Sequence, residues 1–178
     1  PDEIWMGALK GEDHEKSTDK NETFRTLINS QLQYVLQKNI EVRFPFIERK
    51  MGKYEIVDWA LNDLKIPLET LTSTSSCLSG ESGNCGKCVV CFRRWGIFYS
   101  LTGMTENYNV HPMADINNLK MLYAMVKYEL QLDKSCHYDE YRRREIIPGA
   151  LRYFSTTSLR TVLDNIYPII DRHEHCKA

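Results

Sequence analysis

Four cysteines in one short segment place the strongest constraint on how this chain can fold. The segment "SSCLSGESGNCGKCVVCFRRWG", residues 75–96, follows the pattern C-x7-C-x2-C-x2-C. A C-x2-C pair lets two thiolates converge on one ion while the intervening backbone N–H groups point at the sulfurs. The sequence therefore predicts a metal site whose ligands are Cys77, Cys85, Cys88 and Cys91.

The residues around the cysteines suit such a site. Gly86, directly after Cys85, permits the tight turn of a metal knuckle. Cys88 and Cys91 are three residues apart, so they share one face of a helix that begins there, and the N-terminus of that helix stabilises thiolate charge. The loop "LSGESGN" (78–84) contains two glycines and two serines, and its flexibility lets the first cysteine return as the fourth ligand.

Zinc is the metal that this pattern favours. Four soft ligands in tetrahedral geometry, with Zn–S bonds of about 2.3 Å, make a closed structural site with no open position for water or substrate. An iron–sulfur cluster is the main alternative, because C-x2-C-x2-C also occurs in ferredoxins, although the usual fourth Cys-Pro is absent. Disulfides are the third interpretation, disfavoured because the chain carries no sign of export.

A second metal site is a weaker hypothesis. Its candidate ligands are Cys136 with His137, and His173, His175 and Cys176 of "HEHC". An ordinary buried thiol and a polar tail explain these residues as well, because no other ligand set is spaced to complete a site.

Composition narrows the classes of protein to which the chain can belong. Its 178 residues are 42% hydrophobic and 26% charged, the balance of a globular protein. A net charge of −1 gives no support to broad nucleic-acid binding, including that of a zinc-ribbon-like module. No apolar run reaches the ~18–20 residues of a membrane span, and no secretory signal opens the chain, so a cytoplasmic location is expected.

Two apolar runs in the first 50 residues predict strands. Residues 3–9 ("EIWMGAL") suit a short buried strand, and residues 40–46 ("IEVRFPF") are rich in branched and aromatic side chains, with an end around Pro45. The start with Pro1 and no initiator Met suggests a processed chain or a fragment of a longer one.

Helices are predicted after each strand. An apolar stripe over 24–36 follows Asp19 and Glu22, which are spaced as a capping box, and a second helix begins near Gly52 and ends before Pro67. The order strand, helix, strand, helix predicts an α/β layered unit with a parallel sheet. Two strands are few for such a sheet, so either a strand is uncounted or an N-terminal half is missing.

The chain beyond the cysteines is predicted to be helical. An apolar stripe runs over 116–130, and further helices are predicted over 137–147 and 158–172, with a break at Pro148-Gly149 and a kink or end at Pro168. We predict a domain of residues 1–103 and a helical extension of residues 104–178.

Three segments carry a resemblance to a known family. They are "GALKGEDHEKSTDKNETF" (7–24), "FPFIERKMGKYEIVDWALNDLKIPLETLTSTSSC" (44–77) and "CGKCVVCFRRWGIF" (85–98). Together they resemble the C-terminal half of the 7-cyano-7-deazaguanine synthase family (QueC), over roughly residues 3–98. That family couples ATP cleavage to conversion of a carboxyl-bearing deazapurine into a nitrile, with ammonia, on the route to queuosine.

The resemblance implies a fold and a site. It implies a partial Rossmann-like unit of the adenine nucleotide alpha hydrolase type, with a structural Zn²⁺ held by the four cysteines beside a substrate pocket. Its implied substrate-binding residues are Glu12 and Asp13 in an acidic loop after a strand, Lys53 at a helix start, and Arg94 after the zinc knuckle. No catalytic residue is assigned.

The phosphate loop of such enzymes is missing from this chain. ATP pyrophosphatases of this type carry Ser-Gly-Gly-x-Asp-Ser after the first strand, and "LSGESG" (78–83) lies between metal ligands with no preceding strand. The first hypothesis is therefore the C-terminal part of a synthase-like enzyme, inactive alone, which uses ATP only when an N-terminal half or partner chain supplies this loop. The alternative is an inactive, zinc-stabilised component of a larger assembly, such as a viral particle, in which case its location would be the virion.

Overall fold

The computed structural model describes residues 2–13, 18–80 and 83–175, and the chain forms two compact units, residues 1–56 and 57–178. In order, the elements are β1 (Glu3–Trp5), α1 (Glu22–Leu36), β2 (Glu41–Arg43), α2 (Pro45–Glu48), α3 (Lys53–Asn62), α4 (Leu68–Thr72), α5 (Val89–Thr102), α6 (Ile116–Glu129), α7 (Glu140–Tyr153) and α8 (Leu159–His175). A short 3₁₀ turn, Pro112–Ala114, precedes α6. The prediction of a mixed α/β chain with a parallel pair of strands is confirmed, and most of the described chain is helical. The Rossmann-like assignment stays a prediction, and so does the domain boundary at 103.

The first unit is a strand–helix–strand arrangement. β1 and β2 pair in parallel, with Glu3 opposite Glu41 and Trp5 opposite Arg43. Helix α1 connects them and packs its inner face on one side of the pair. The buried residues are Ala8, Val42 and Phe44, and the partly buried residues around them include Met6, Phe24, Ile28, Leu32 and Ile47. This core is small because each strand contributes only three residues to the sheet.

Both strands are shorter than the predicted runs of 3–9 and 40–46. After Trp5 only one further hydrogen bond continues the pairing, from the Met6 N–H to the Arg43 carbonyl at 2.9 Å. Pro45 has no N–H to donate, and it occupies the first turn of α2, where none is needed. Strand β2 therefore gives way to a helix earlier than its apolar composition predicts.

The predicted capping box at the start of α1 is wrong. The N-cap is Asn21, whose backbone is extended and whose Oδ1 accepts the Phe24 N–H at 2.9 Å. Asp19 lies two residues before that cap. Asparagine is as good an N-cap as aspartate. The helix is therefore capped by a side-chain oxygen, as predicted, but from position 21 and not from position 19.

The second unit is built around four helices. Helix α5 packs against α7, and α6 packs against α8. Its core consists of apolar residues from all four helices, among them Phe92, Trp95, Leu119, Leu122, Met125, Val126, Ile146, Ala150, Val162 and Ile166. No helix in the described part of the chain is long and apolar enough to cross a membrane.

The predicted break at Pro148-Gly149 is wrong, because both residues lie inside α7. A proline inside a helix costs about 3 kcal/mol. The neighbouring Ile146 and Ile147 are buried, and burial of one such side chain contributes about 1.5–3 kcal/mol, so packing outweighs the lost hydrogen bond. Helix α8 likewise continues through Pro168 to His175.

Two glycines set the distance between α5 and α7. A Cβ added at Gly149 would lie 2.5 Å from the carbonyl oxygen of Gly96, and one added at Gly96 would lie 2.4 Å from that of Glu145. Both contacts are with backbone, which cannot rotate away. The dipeptide that predicts a helix break is therefore a site of close helix–helix contact.

We expect Gly149→Ala to lower the free energy of unfolding by about 2–3 kcal/mol, because the new methyl group forces α5 and α7 apart. The measurement is urea denaturation followed by circular dichroism. Gly7→Ala is the control, since nothing lies within 4 Å of a Cβ at that position. Equal stability of the two variants would contradict the close contact.

Candidate metal centre

The four predicted ligands lie together in the second unit. Their sulfur atoms are all within 4.8 Å of one another, and the Cys85 and Cys91 sulfurs are 3.9 Å apart. In a tetrahedral site with metal–sulfur bonds of about 2.3 Å, sulfur atoms are separated by about 3.8 Å. The cluster therefore fits a single ion with four thiolate ligands, and zinc stays the predicted metal.

Backbone N–H groups point at three of the sulfurs. The Cys77 sulfur accepts from Cys85 N–H at 3.4 Å, the Cys85 sulfur from Cys88 N–H at 3.4 Å, and the Cys88 sulfur from Cys91 N–H at 3.4 Å. The last bond makes Cys88 the N-cap of α5, which confirms the predicted helix start. These donors favour the charged thiolate form, which is the form that binds metal.

The surroundings of the cysteines lower the pKa of two thiols and raise the pKa of a third. The Ser79 hydroxyl, followed by the backbone N–H of Cys85, lowers the pKa of Cys77 to about 6. For Cys88, burial acts in the opposite direction, but backbone donors outweigh it and its pKa is lowered. Burial raises the pKa of Cys91, whose residue is only 1% exposed. A bound cation supplies the positive charge that ionises such a buried thiol.

The arrangement is closed to substrate chemistry. Cys85 and Cys91 are buried, and Cys77 and Cys88 are partly exposed. Because all four positions around a tetrahedral ion are filled by protein thiolates, none is left for a water or a substrate. The donor set therefore favours a structural metal over a catalytic one.

The turn between Cys85 and Cys88 depends on glycine, as predicted. Gly86 has φ of +76°, and a Cβ there would lie 1.6 Å from the carbonyl oxygen of Val110. The loop containing Val110 therefore runs directly against the metal-binding turn.

Arg94, predicted from the resemblance as a substrate-binding residue, is buried one turn after Cys91. Its guanidinium donates to both carboxylate oxygens of Glu106, at 2.7 Å for the shortest bonds, to the Thr74 hydroxyl at 3.0 Å and to the Leu71 carbonyl at 3.0 Å. All three of its nitrogens are thus used within the chain. Its substrate role stays a prediction.

Glu106 also accepts the Tyr108 hydroxyl at 2.9 Å. Burial, together with the negative charge of Glu106, raises the pKa of Tyr108, so this hydroxyl remains a donor. A cavity of about 330 Å³ borders the group and is lined by residues that include Leu68, Thr72, Asn84, Phe98, Thr102 and Glu106. It has the size of a small-molecule site and adjoins the carboxylate that binds Arg94.

The other predicted substrate residues lie in the first unit. Asp13 forms an ion pair with Lys10 and accepts the Gly11 N–H at 3.0 Å. Although partial burial acts the other way, these bonds lower the pKa of Asp13. Glu12 pairs with Lys20 at 3.2 Å, and Lys53 is the first residue of α3. The structure places the two acidic residues in one loop, while their role toward substrate stays a prediction.

Among the described residues, the four cysteines are the only group of three or more candidate ligands that lie close together. No cluster therefore supports a second metal site there. Cys136 is a partly buried thiol packed against the core, and His175 pairs with Asp171 at 3.5 Å. Cys176 lies outside the described residues, as do residues 14–17 of the acidic loop and 81–82 of the loop after Cys77.

The chain is therefore a mixed α/β protein with a four-cysteine cluster, suited to a metal ion, at the start of a buried helix. The family model described as queuosine biosynthesis protein QueC matches residues 2–102, and the chain belongs to this family. Searches of curated proteins and of solved structures found no significant match. The resemblance inferred from the sequence is confirmed at the level of the family.

Sequence reasoning missed the polar residues that pack around the metal-binding turn and around Arg94. Glu106, Tyr108 and Asn118 are polar residues between predicted helices or near a helix start, where such residues are normally exposed. Their burial follows from tertiary contacts, and no local spacing indicates it.

We expect close to one Zn²⁺ per chain and expect Cys88→Ser to lose it, because removal of one thiolate leaves the site with three sulfur ligands. Metal content by mass spectrometry and thermal melting are the measurements. Cys136→Ser, outside the cluster, should retain the metal. A coloured, iron-containing preparation would contradict the zinc assignment.

We expect Glu106→Gln to lower the free energy of unfolding by about 3–5 kcal/mol, because it leaves the buried Arg94 charge unpaired. Asp164→Asn is the control, since Asp164 forms an exposed pair with Arg160 at 3.2 Å and its loss should cost less than about 1 kcal/mol. Urea denaturation measures both. A loss in Glu106→Gln no larger than in the control would show that the pair is not a structural requirement.

Proposed function

We propose that the chain is the metal-bearing C-terminal part of a 7-cyano-7-deazaguanine synthase-like enzyme, and that it is active only with a partner polypeptide that supplies the ATP site. Family membership supports this reaction class, in which a carboxyl-bearing deazapurine would become a nitrile at the expense of ATP. The observation that carries the need for a partner is the incomplete sheet of the first unit.

A parallel sheet of only two strands is uncommon in folded proteins. Parallel strands occur in sheets covered on both faces, and a two-stranded sheet alone is marginally stable. Among the described residues, each strand pairs over three residues and has one neighbour in the sheet. Parallel strands added at an edge would extend this sheet, as a further half of an α/β fold does.

Helix α1 presents more apolar surface than the sheet covers. None of its residues is fully buried, and Tyr34 and Val35 near its C-terminus are 80% and 71% exposed. Trp5 on β1 is 68% exposed. Large exposed apolar side chains on one element indicate a surface that another element or chain covers.

The acidic loop supports a substrate role for Glu12 and Asp13. The loop follows β1, so it leaves the carboxyl end of a parallel strand, where ligands bind in open α/β sheets. The Lys10 N–H donates to the Met51 carbonyl at 3.0 Å, which brings the start of this loop to the residues that precede Lys53. The carboxylates of Glu12 and Asp13 would accept hydrogen bonds from a substrate, and Lys53 at a helix start would bind a negatively charged group of it.

An inactive scaffold is the second candidate, favoured by one observation. Arg94 is the proposed substrate residue of the second unit, and its guanidinium is bonded to Glu106, Thr74 and backbone carbonyls. A residue so engaged serves the fold. A chain that retains the zinc for stability and uses its helices to join an assembly, such as a viral particle, is consistent with this arrangement.

The test is reconstitution of ATP-dependent nitrile formation from 7-carboxy-7-deazaguanine. The purified chain is assayed with ammonia and ATP, alone and mixed with an N-terminal half of a QueC-family enzyme that carries the Ser-Gly-Gly-x-Asp-Ser loop. We expect no product from the chain alone and product from the mixture, measured by mass spectrometry.

Two variants sharpen the assay. Asp13→Asn should lower turnover in the mixture at least ten-fold, whereas Asp164→Asn on the exposed face of α8 should leave it unchanged. Turnover by the isolated chain would overturn the need for a partner. A mixture that forms a complex without turnover would favour the scaffold.

A further inference from the structure

The metal-binding turn is held by a segment beyond residue 102, where the family match ends. The Asn109 N–H donates to the Asn84 carbonyl at 2.9 Å, and the Val110 N–H donates to the Cys85 carbonyl at 3.2 Å. Asn84 and Tyr108 form a short parallel bridge through this pairing. The backbone around the second ligand is thus fixed by a neighbouring strand-like segment.

Asn118 completes this arrangement from helix α6. Its side-chain Nδ2 donates to the Gly86 carbonyl at 2.9 Å and to the Pro112 carbonyl at 3.0 Å, and the residue is only 1% exposed. One amide group therefore joins the chelating turn between Cys85 and Cys88 to the loop that packs on it.

The position of Asn118 is itself fixed by a helix cap. Asp115 is the N-cap of α6, and its Oδ1 accepts the N–H groups of Asn117 and Asn118 at 3.0 and 3.1 Å. The amide of Asn118 therefore lies on a rigid first turn. Because the Gly86 and Pro112 carbonyls are buried with it, removal of the amide leaves both oxygens without this donor.

The geometry points to Asn118 as a positioning residue for the metal centre. It touches no ligand atom, and it acts by holding the Cys85–Cys88 turn in its chelating conformation. The affinity for a tetrahedral thiolate-binding ion such as Zn²⁺ therefore depends on α6, in the part of the chain outside the family match. This inference rests on the proposed metal centre and is independent of the proposed enzymatic reaction.

The test compares Zn²⁺ affinity of the full chain and its variants by competition with a chromophoric chelator. Partners that orient metal ligands typically contribute about 10–100-fold in affinity, and we expect a loss in that range for Asn118→Ala. Asn117→Ala, at the exposed neighbouring position, should bind as the wild type does. Ile166→Val, in the core of α8, should lower the melting temperature without changing affinity more than about three-fold, a matched control for destabilisation alone.

Cobalt provides a second readout that a purely structural role would not move. We expect the thiolate-to-Co²⁺ absorption of Asn118→Ala to differ from that of the wild type, and that of Ile166→Val to be unchanged. If Asn118→Ala does not fold, Asn118→Ser, which retains one donor, is measured with the same criterion. Wild-type affinity and spectrum in the Asn118 variant, or an equal loss in Ile166→Val, would overturn the inference. Absence of metal binding by the wild-type chain would instead refute the metal centre.

Discussion

The start of helix α5 is the constraint on which the second unit depends. Within its first eight residues this helix provides one metal ligand, Cys91, the buried cation Arg94, and the glycine that admits α7, Gly96. All three residues lie on one helix, so the metal cluster, the Arg94–Glu106 pair and the contact with α7 share one rigid element. A thiolate cluster that fixes the first turn also fixes the direction in which the rest of α5 enters the core.

A second ion pair ties the same helix to α7. The Arg93 guanidinium donates to Glu145 at 2.8 Å, beside the close contact between Gly96 and Gly149. Arg93 and Arg94 are adjacent in sequence and therefore bond on different sides of α5. Buried pairs of this kind contribute little net energy compared with apolar packing, but they penalise any arrangement that separates the partners. They make the packing of this unit specific.

The sequence predicted the features that follow from short-range chemistry. The four cysteines, the glycine turn at Gly86 and the helix start at Cys88 depend on residues within a few positions of one another, and the structure contains all three. The predictions that failed concern local signals that tertiary packing overrides. Pro148-Gly149 predicts a break, but burial of the neighbouring isoleucines keeps helix α7 intact. Gly149 is required because α5 approaches α7 closely at this position. Asn118 carries no local signal, because its two acceptors are 32 and 6 residues away.

The four-cysteine cluster and the acidic loop differ as candidate sites for a reaction. The four-cysteine cluster is the most specific feature of the sequence, yet four thiolates around one ion leave no open position for a substrate, which favours a structural role. The acidic loop after β1 is far less specific as a pattern, but it occupies the position in a parallel sheet where ligands bind. Specificity of a motif and participation in catalysis are separate properties.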